Sequence, residues 1–284
     1  MRIAMFGSGS AGVGIIALLI AAMKDQGLSE VDARRRIYAF NRHGLMVEGD
    51  PNLRASQVPL ARKREDVAGW KLSKPGLISL LDVVRNAGIT VLVGVSAQGG
   101  AFTEEIAREM MRHSPRPVIF PLSNPTSVAE ATPADLLRWT EGRALVGTGS
   151  PFAPVEVSGR SVRISQINNS FIFPGLALGI LVSRAERVTD GMMMAAAKAL
   201  ASQSPTVQDN DAPLLPAVAE SRNVAMHVAE SVARQAIAEG ASAITDSLRI
   251  PDMLRTYVWE PVYHQYERVY LHAGKAQENP DFAI

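Results

Sequence analysis

Gly7-Ser8-Gly9-Ser10-Ala11-Gly12 follows a short apolar run, Arg2 to Phe6, and leads into a stretch of small and apolar residues, Gly9 to Met23. The order strand, tight turn, helix is the context in which G-x-G-x-x-G carries chemistry. Its glycines allow the sharp turn, the approach of backbone to a pyrophosphate and the close packing of helix on strand. The helix N-terminus adds N–H groups and the positive end of a dipole. The expectation is a dinucleotide held at Gly7, Gly9, Ser10, Ala11 and Gly12, and the bland alternative is a plain glycine-rich turn.

In such a fold an Asp or Glu at the end of the second strand reads the ribose hydroxyls of NAD. Here that position is Asn41, followed by Arg42 and His43. An amide can bond a hydroxyl but does not repel a 2′-phosphate, and a guanidinium beside it can hold one, so NAD and NADP both stay open. The alternative is that Arg42 is solvated and Asn41 merely ends a strand. Gly94-Val95-Ser96 and Ser123-Asn124-Pro125-Thr126 fall at the carboxyl ends of two later strands, the edge where open α/β sheets bind ligands. Proline after Asn124 favours an extended backbone there, which lets the carboxamide project over the strand end unless it only closes an Asx-type turn. Asn168 and Asn169 form a second amide pair, before the apolar "SFIFPG", and must be satisfied by a ligand or by nearby backbone.

Other chemistries find no footing. "GVSAQ" misses the second glycine of a nucleophile elbow, having Gln98 in its place. His43, His113, His227, His264 and His272 are scattered without a metal-ligand spacing, so the sequence by itself shows no metal site. Arg34 to Arg36 and Arg62 to Arg64 read as solvated faces, and Met192 to Met194 as core and helix surface. The 284 residues are 47% hydrophobic and 20% charged with a net charge of +1, the profile of a globular protein and not of a nucleic-acid binder. Cysteine is absent, which removes disulfides and thiolate chemistry and suits a cytoplasmic protein. The apolar runs Ile15 to Met23 and Ile172 to Val182 fall short of the about 18 residues of a membrane span; the second reads as a buried turn and helix.

The elements that must position these residues alternate. After the first strand and helix, Ser29 caps a short helix before "RRIYAF". Pro51 to Lys74 is a polar excursion with a helical piece around Leu60 to Asp66. "LISLLDVVRNAG" is helical and ends at Gly88, "ITVLVGVS" is a buried strand, Thr103 caps Glu104 to His113, and "RPVIFPL" is a strand. Thr132 starts another helix, "RALVGTGS" another strand, Thr189 and Asp190 open a further helix, and Val218 to Ala238 is long and amphipathic. This predicts an α/β, doubly wound parallel sheet of Rossmann type over residues 1–184, with a helical C-terminal region, 185–284, packed on it.

The segments "GSGSAGVGI", "SLLDVVRNAGITVLVGVSAQGGAFTEEI", "LSNPT", "TGSPF" and "NNSFIFPG" come in an order that resembles the NAD-binding half of malic enzymes, which oxidise and decarboxylate malate to pyruvate and carbon dioxide. The long bacterial and mitochondrial type is the most similar, with a weaker likeness around Trp259 and Tyr263. The resemblance implies pyrophosphate contacts at Gly7 to Gly12, Asn124 between nicotinamide and malate, and Asn168 or Asn169 on the malate carboxylate. It also implies that the proton-donating Tyr, the base Lys and the Mg²⁺ or Mn²⁺ ligands belong to a substrate domain preceding the glycine turn and absent from this sequence. The chain alone is then expected to be inactive, and to form a homo-oligomer or take a substrate domain in trans. Two other readings are a free-standing dinucleotide-binding or assembly module and an unrelated Rossmann reductase.

Overall fold

The computed structural model describes residues 1–259, 262, 263 and 265. Strand β1 (Ile3–Phe6) runs into helix α1 (Ser10–Asp25), α2 (Glu30–Arg35) and β2 (Ile37–Asn41). The Ser29 hydroxyl accepts from the Asp32 amide, as an N-cap should. Arg35 and Arg36 finish that helix, so the second strand starts two residues later than "RRIYAF" implies. A two-residue strand, β3 (Gly44–Leu45), folds back antiparallel on β2.

Next come α3 (Leu80–Ala87), β4 (Val91–Gly94), α4 (Glu104–His113), β5 (Val118–Pro121), α5 (Pro133–Trp139) and β6 (Leu145–Thr148). The expected helical piece at Leu60 to Asp66 is instead two separate 3₁₀ turns, Val58–Leu60 and Arg64–Asp66. Pro59 and the extended Ala61 and Lys63 stop them from joining. A hairpin of β7 (Val155–Val157) and β8 (Arg160–Val162) and a short strand β9 (Ser165–Gln166) complete the strands among the described residues.

The main sheet runs β3-β2-β1-β4-β5-β6-β9, parallel throughout except for β3. Sequence order reverses between β1 and β4, so the loops after these two strands open a crevice at the carboxyl edge. Alternation along β1 divides the core. Ile3 and Met5 pack with Ile16, Ile20 and Met23 of α1, while Ala4 packs on the other face with Val83 and Val84 of α3 and Met110 of α4.

Beyond β9, α6 (Phe173–Ser183), α7 (Asp190–Ser202), α8 (Ser221–Ala238) and α9 (Ile250–Tyr257) form a helical layer with apolar clusters of its own. Helix α6 packs here, against α8. A Cβ on Gly175 would stand 2.5 Å from the Ala225 carbonyl oxygen, and one on Gly179 2.7 Å from that of Ala229, so the glycines of "FPGLALG" set the distance between two backbones. The stretch is not buried as expected, because Phe173 and Leu181 are 63% and 62% exposed on the side facing away from α8. Met192 is fully buried while Met193 reaches the surface, a division between core and helix face. Among the described residues no helix is long and apolar enough to cross a membrane.

Candidate functional site

The turn after β1 is held by contacts only glycine permits. Gly7 has φ +114°, and a Cβ on it would lie 2.6 Å from the Val95 carbonyl oxygen; a Cβ on Gly12 would lie 2.0 Å from the carbonyl oxygen of Gly7. Gly9, by contrast, faces open space: a Cβ there would meet nothing within 4 Å. That space belongs to a cleft of about 380 Å³ lined by Gly7, Gly9, Asn41, Arg42, Arg54 and Ser96, among others. Gly9 is the N-cap of α1 with no side chain of its own, so the first N–H groups of the helix remain for a ligand. Inside the same loop the Ser8 hydroxyl is buried with no hydrogen-bond partner among the described residues. An orphaned donor, an uncapped helix end and open room above a glycine fit a phosphate-bearing cofactor.

The structure thus brings together Gly7, Gly9, Asn41, Arg42, Val95 and Ser96 in one cleft, with Ser10, Ala11 and Gly12 at the start of the helix behind it. Gly94 lies beneath, where a Cβ would strike the carboxyl carbon of Glu130 at 2.5 Å. The Asn41 side chain makes an Asx-type turn, its Oδ1 accepting from the His43 amide at 2.7 Å. No hydrogen bond engages its Nδ2 among the described residues, and its Oδ1 keeps a second lone pair. Arg42 is exposed and donates to the His43 ring.

Asn124 stands elsewhere on the carboxyl edge, after β5. Its Oδ1 accepts from the Ser150 hydroxyl and its Nδ2 lies against Gly149, where a Cβ would come within 2.9 Å. Asn168 caps the 3₁₀ turn Asn169–Phe171 by accepting from the Ser170 amide, so part of its hydrogen-bonding capacity is spent locally, while Asn169 is exposed. The Arg62 side chain is not a solvated face. It is 10% exposed, stacks over the Tyr38 ring at 4.5 Å and pairs with Asp66. His264 and His272 lie outside the described residues.

Two residues that sequence reasoning passed over organise the cleft. Gln57, buried in the polar excursion, donates from Nε2 to the Ser8 carbonyl oxygen at 2.8 Å and accepts from the Arg54 amide, which fastens the glycine loop to a distant segment. Glu130 is fully buried and accepts at one oxygen from the Ser96 amide, the Ser96 hydroxyl and the Ser123 hydroxyl, at 2.9, 2.8 and 2.6 Å. It ties the loops after β4 and β5 together, with Ala97 held at φ +55° and donating to Ser123. Neither had a local signal, since one glutamine and one glutamate in mixed stretches announce nothing. Among the described residues there is no group of three or more His, Asp or Glu side chains that could hold a metal ion.

Residues 1–237 match the family model of the malic enzyme NAD-binding domain. Over 267 residues the chain is 49% identical to an NAD-dependent malic enzyme of Pseudomonas savastanoi pv. phaseolicola, covering 94% of this chain and 47% of that protein. A namesake from Proteus mirabilis is 47% identical over 266 residues, with the same two coverages. The chain spans about half the length of the curated relatives it matches. Among solved structures, the malic enzyme of Entamoeba histolytica superposes with a TM-score of 0.68 at 25% identity, over 90% of this chain and 47% of that one. That of Pyrococcus horikoshii shares the fold with a TM-score of 0.65 at 21% identity, over 90% and 54%.

Proposed function

The chain belongs to the family of malic enzyme NAD-binding domains, and from that premise we propose that it is the cofactor-holding part of an enzyme that oxidises and decarboxylates malate to pyruvate. The observation that carries the proposal is the cleft at the switch point, where the open face of Gly9 and the uncapped N-terminus of helix α1 meet in the space a pyrophosphate would take, with the unpartnered Ser8 hydroxyl buried in the same loop. When bound, the nicotinamide ring supplies the acceptor for the hydride that leaves the malate carbinol carbon.

The backbone of Gly7 to Gly12 binds the pyrophosphate, and Asn41 Nδ2 with Arg42 meets the adenosine ribose. Arg42, exposed beside an uncharged Asn41, leaves NADP acceptable alongside NAD. Val95 and Ser96 border the cofactor on the β4 side, with Glu130 fixing Ser96 from below. Asn124 orients the substrate against the nicotinamide, and Asn169, whose side chain is not engaged in the cap that occupies Asn168, is the better placed of the pair for the malate carboxylate. Amides hold and orient, but they cannot take or give the protons of the reaction.

We assign the base, the acid and the metal ligands to a substrate-binding part outside these residues, in keeping with relatives of about twice the length. The apolar face of α6 with Phe173 and Leu181 is where such a part, or a second copy, has surface to cover. The test is reconstitution. The purified 284-residue chain should show no malate- and manganese-dependent formation of NADH, and activity should appear when the amino-terminal portion of a relative is added in trans. Turnover by the chain alone, at the about 1–10³ s⁻¹ usual for enzymes, would refute this assignment.

A further inference from the structure

The opposite, amino edge of the sheet carries a cavity larger than the cofactor cleft, about 480 Å³. Its polar lining is dominated by Arg116, Arg143, Arg160 and Arg163, with Asp211 as the one carboxylate. The arrangement follows from the sheet. Arg116, Arg143 and Arg163 each stand two residues before the first residue of β5, β6 and β9, three neighbouring parallel strands, and Arg160 opens β8 of the adjoining hairpin.

The register Val118↔Leu145 carries back to Arg116 opposite Arg143, on strands about 4.8 Å apart. Like charges directly opposite each other on neighbouring strands are destabilising, a cost that a bound anion would relieve. Internal partners neutralise only half of the set. Arg116 donates to the Asn210 carbonyl oxygen and Arg163 to that of Leu215, at 2.9 Å for the latter, and among the described residues neither has an ion pair. Arg143 pairs with Glu141, and Arg160 stands 3.7 Å from Asp211. The floor is apolar, with Leu137, Val146 and Ile164 buried beneath the charges. Exposed guanidinium groups above an apolar floor, two of them without an ion pair among the described residues, suit an oxyanion with several charges, which planar Arg forks bind through paired hydrogen bonds.

The geometry points to a second binding site, at the amino ends of β5, β6 and β9, for a small oxyanion carrying at least two charges. It is separate from the dinucleotide cleft and independent of the reading above. The shared chemistry has two natural sources, a di- or triphosphate and a di- or tricarboxylate. Calorimetric titration of the 284-residue chain with inorganic pyrophosphate and with citrate, at low ionic strength and with NADH saturating, separates them. The expected result is 1:1 binding of at least one probe, weakened about tenfold or more in the Arg116→Gln/Arg163→Gln double variant. Arg160→Gln, on an exposed hairpin, gives a second reading should the double variant fold poorly, and it too should weaken binding. The same affinity in the variants as in the unaltered chain, or no binding of either probe once NADH is present, overturns the inference.

Discussion

In the proposed reading, Asn41 sets the choice between NAD and NADP. Its Oδ1 is committed to the His43 amide, a bond that an aspartate of the same shape keeps, so Asn41→Asp changes charge with little change of geometry. A carboxylate there accepts from the ribose hydroxyls and repels a 2′-phosphate. A charge-assisted hydrogen bond contributes about 1.5–3 kcal/mol, so the ratio of NAD to NADP affinity should rise about tenfold or more. Fluorescence titration with NADH and NADPH measures it, and an unchanged ratio means that this side chain does not meet the ribose. The glycines of the loop and the strand-end residues Asn41, Val95 and Ser96 were legible in the sequence, because each is defined by its place next to a strand and by short-range spacing. Gln57 and Glu130 were not, because their meaning lies in partners 49 and up to 34 positions away.

At the scale of single elements, caps were the most readable signal. Ser29, Thr103, Thr132 and Thr189 all accept from the amide three residues on, as their residue types and positions predict. The two-residue strands β3 and β9 and the hairpin of β7 and β8 escaped, since strands so short carry no period and exist by pairing with neighbours distant in sequence. The start of α3 rests on Asp82. Burial pushes its carboxyl up, but hydrogen bonds from the hydroxyls and amides of Ser73 and Ser79 outweigh this and hold it below the usual carboxylate range. A depressed native value means a contribution that is complete above the unfolded-state value near 3.8 and is lost as pH falls through the native one. Asp82→Ala should therefore cost about 1–3 kcal/mol at neutral pH in urea unfolding, with the gap to the parent closing below pH 4. A gap independent of pH would show that the cost is not electrostatic. Helix glycines divide in the same way. Gly175→Ala forces a Cβ onto the α8 backbone and should destabilise by about 1–3 kcal/mol. Gly14→Ala, whose Cβ meets nothing within 4 Å on an exposed turn of α1, should stabilise by about 0.5–1 kcal/mol.

Over the whole molecule, the doubly wound sheet was legible from the alternation of strand and helix, and the sheet order with its reversal between β1 and β4 bears the expectation out. The exposed side of α6 was not legible, because a helix apolar on all faces gives no sign of which face its neighbours leave bare. The sheet's two edges now carry different chemistry: a glycine-lined cleft at the carboxyl edge and an arginine-lined cavity at the amino edge. The central claim is that the cleft holds a dinucleotide through its pyrophosphate, and Gly9 allows it to be tested without disturbing the fold. Gly9 has φ −73° and ψ −167° at the N-cap of α1, a conformation and a position that aspartate favours, and its Cβ would enter only the open cleft. The most direct measurement is an NADH fluorescence titration of the parent chain and of Gly9→Asp, with a thermal melt of each. The account predicts saturable binding by the parent, and a variant that melts at the same temperature or higher yet binds about a hundredfold more weakly, or not at all, because a carboxylate occupies and repels the pyrophosphate position. Binding by the variant as tight as by the parent, or a folded parent that shows no saturable signal, would contradict it.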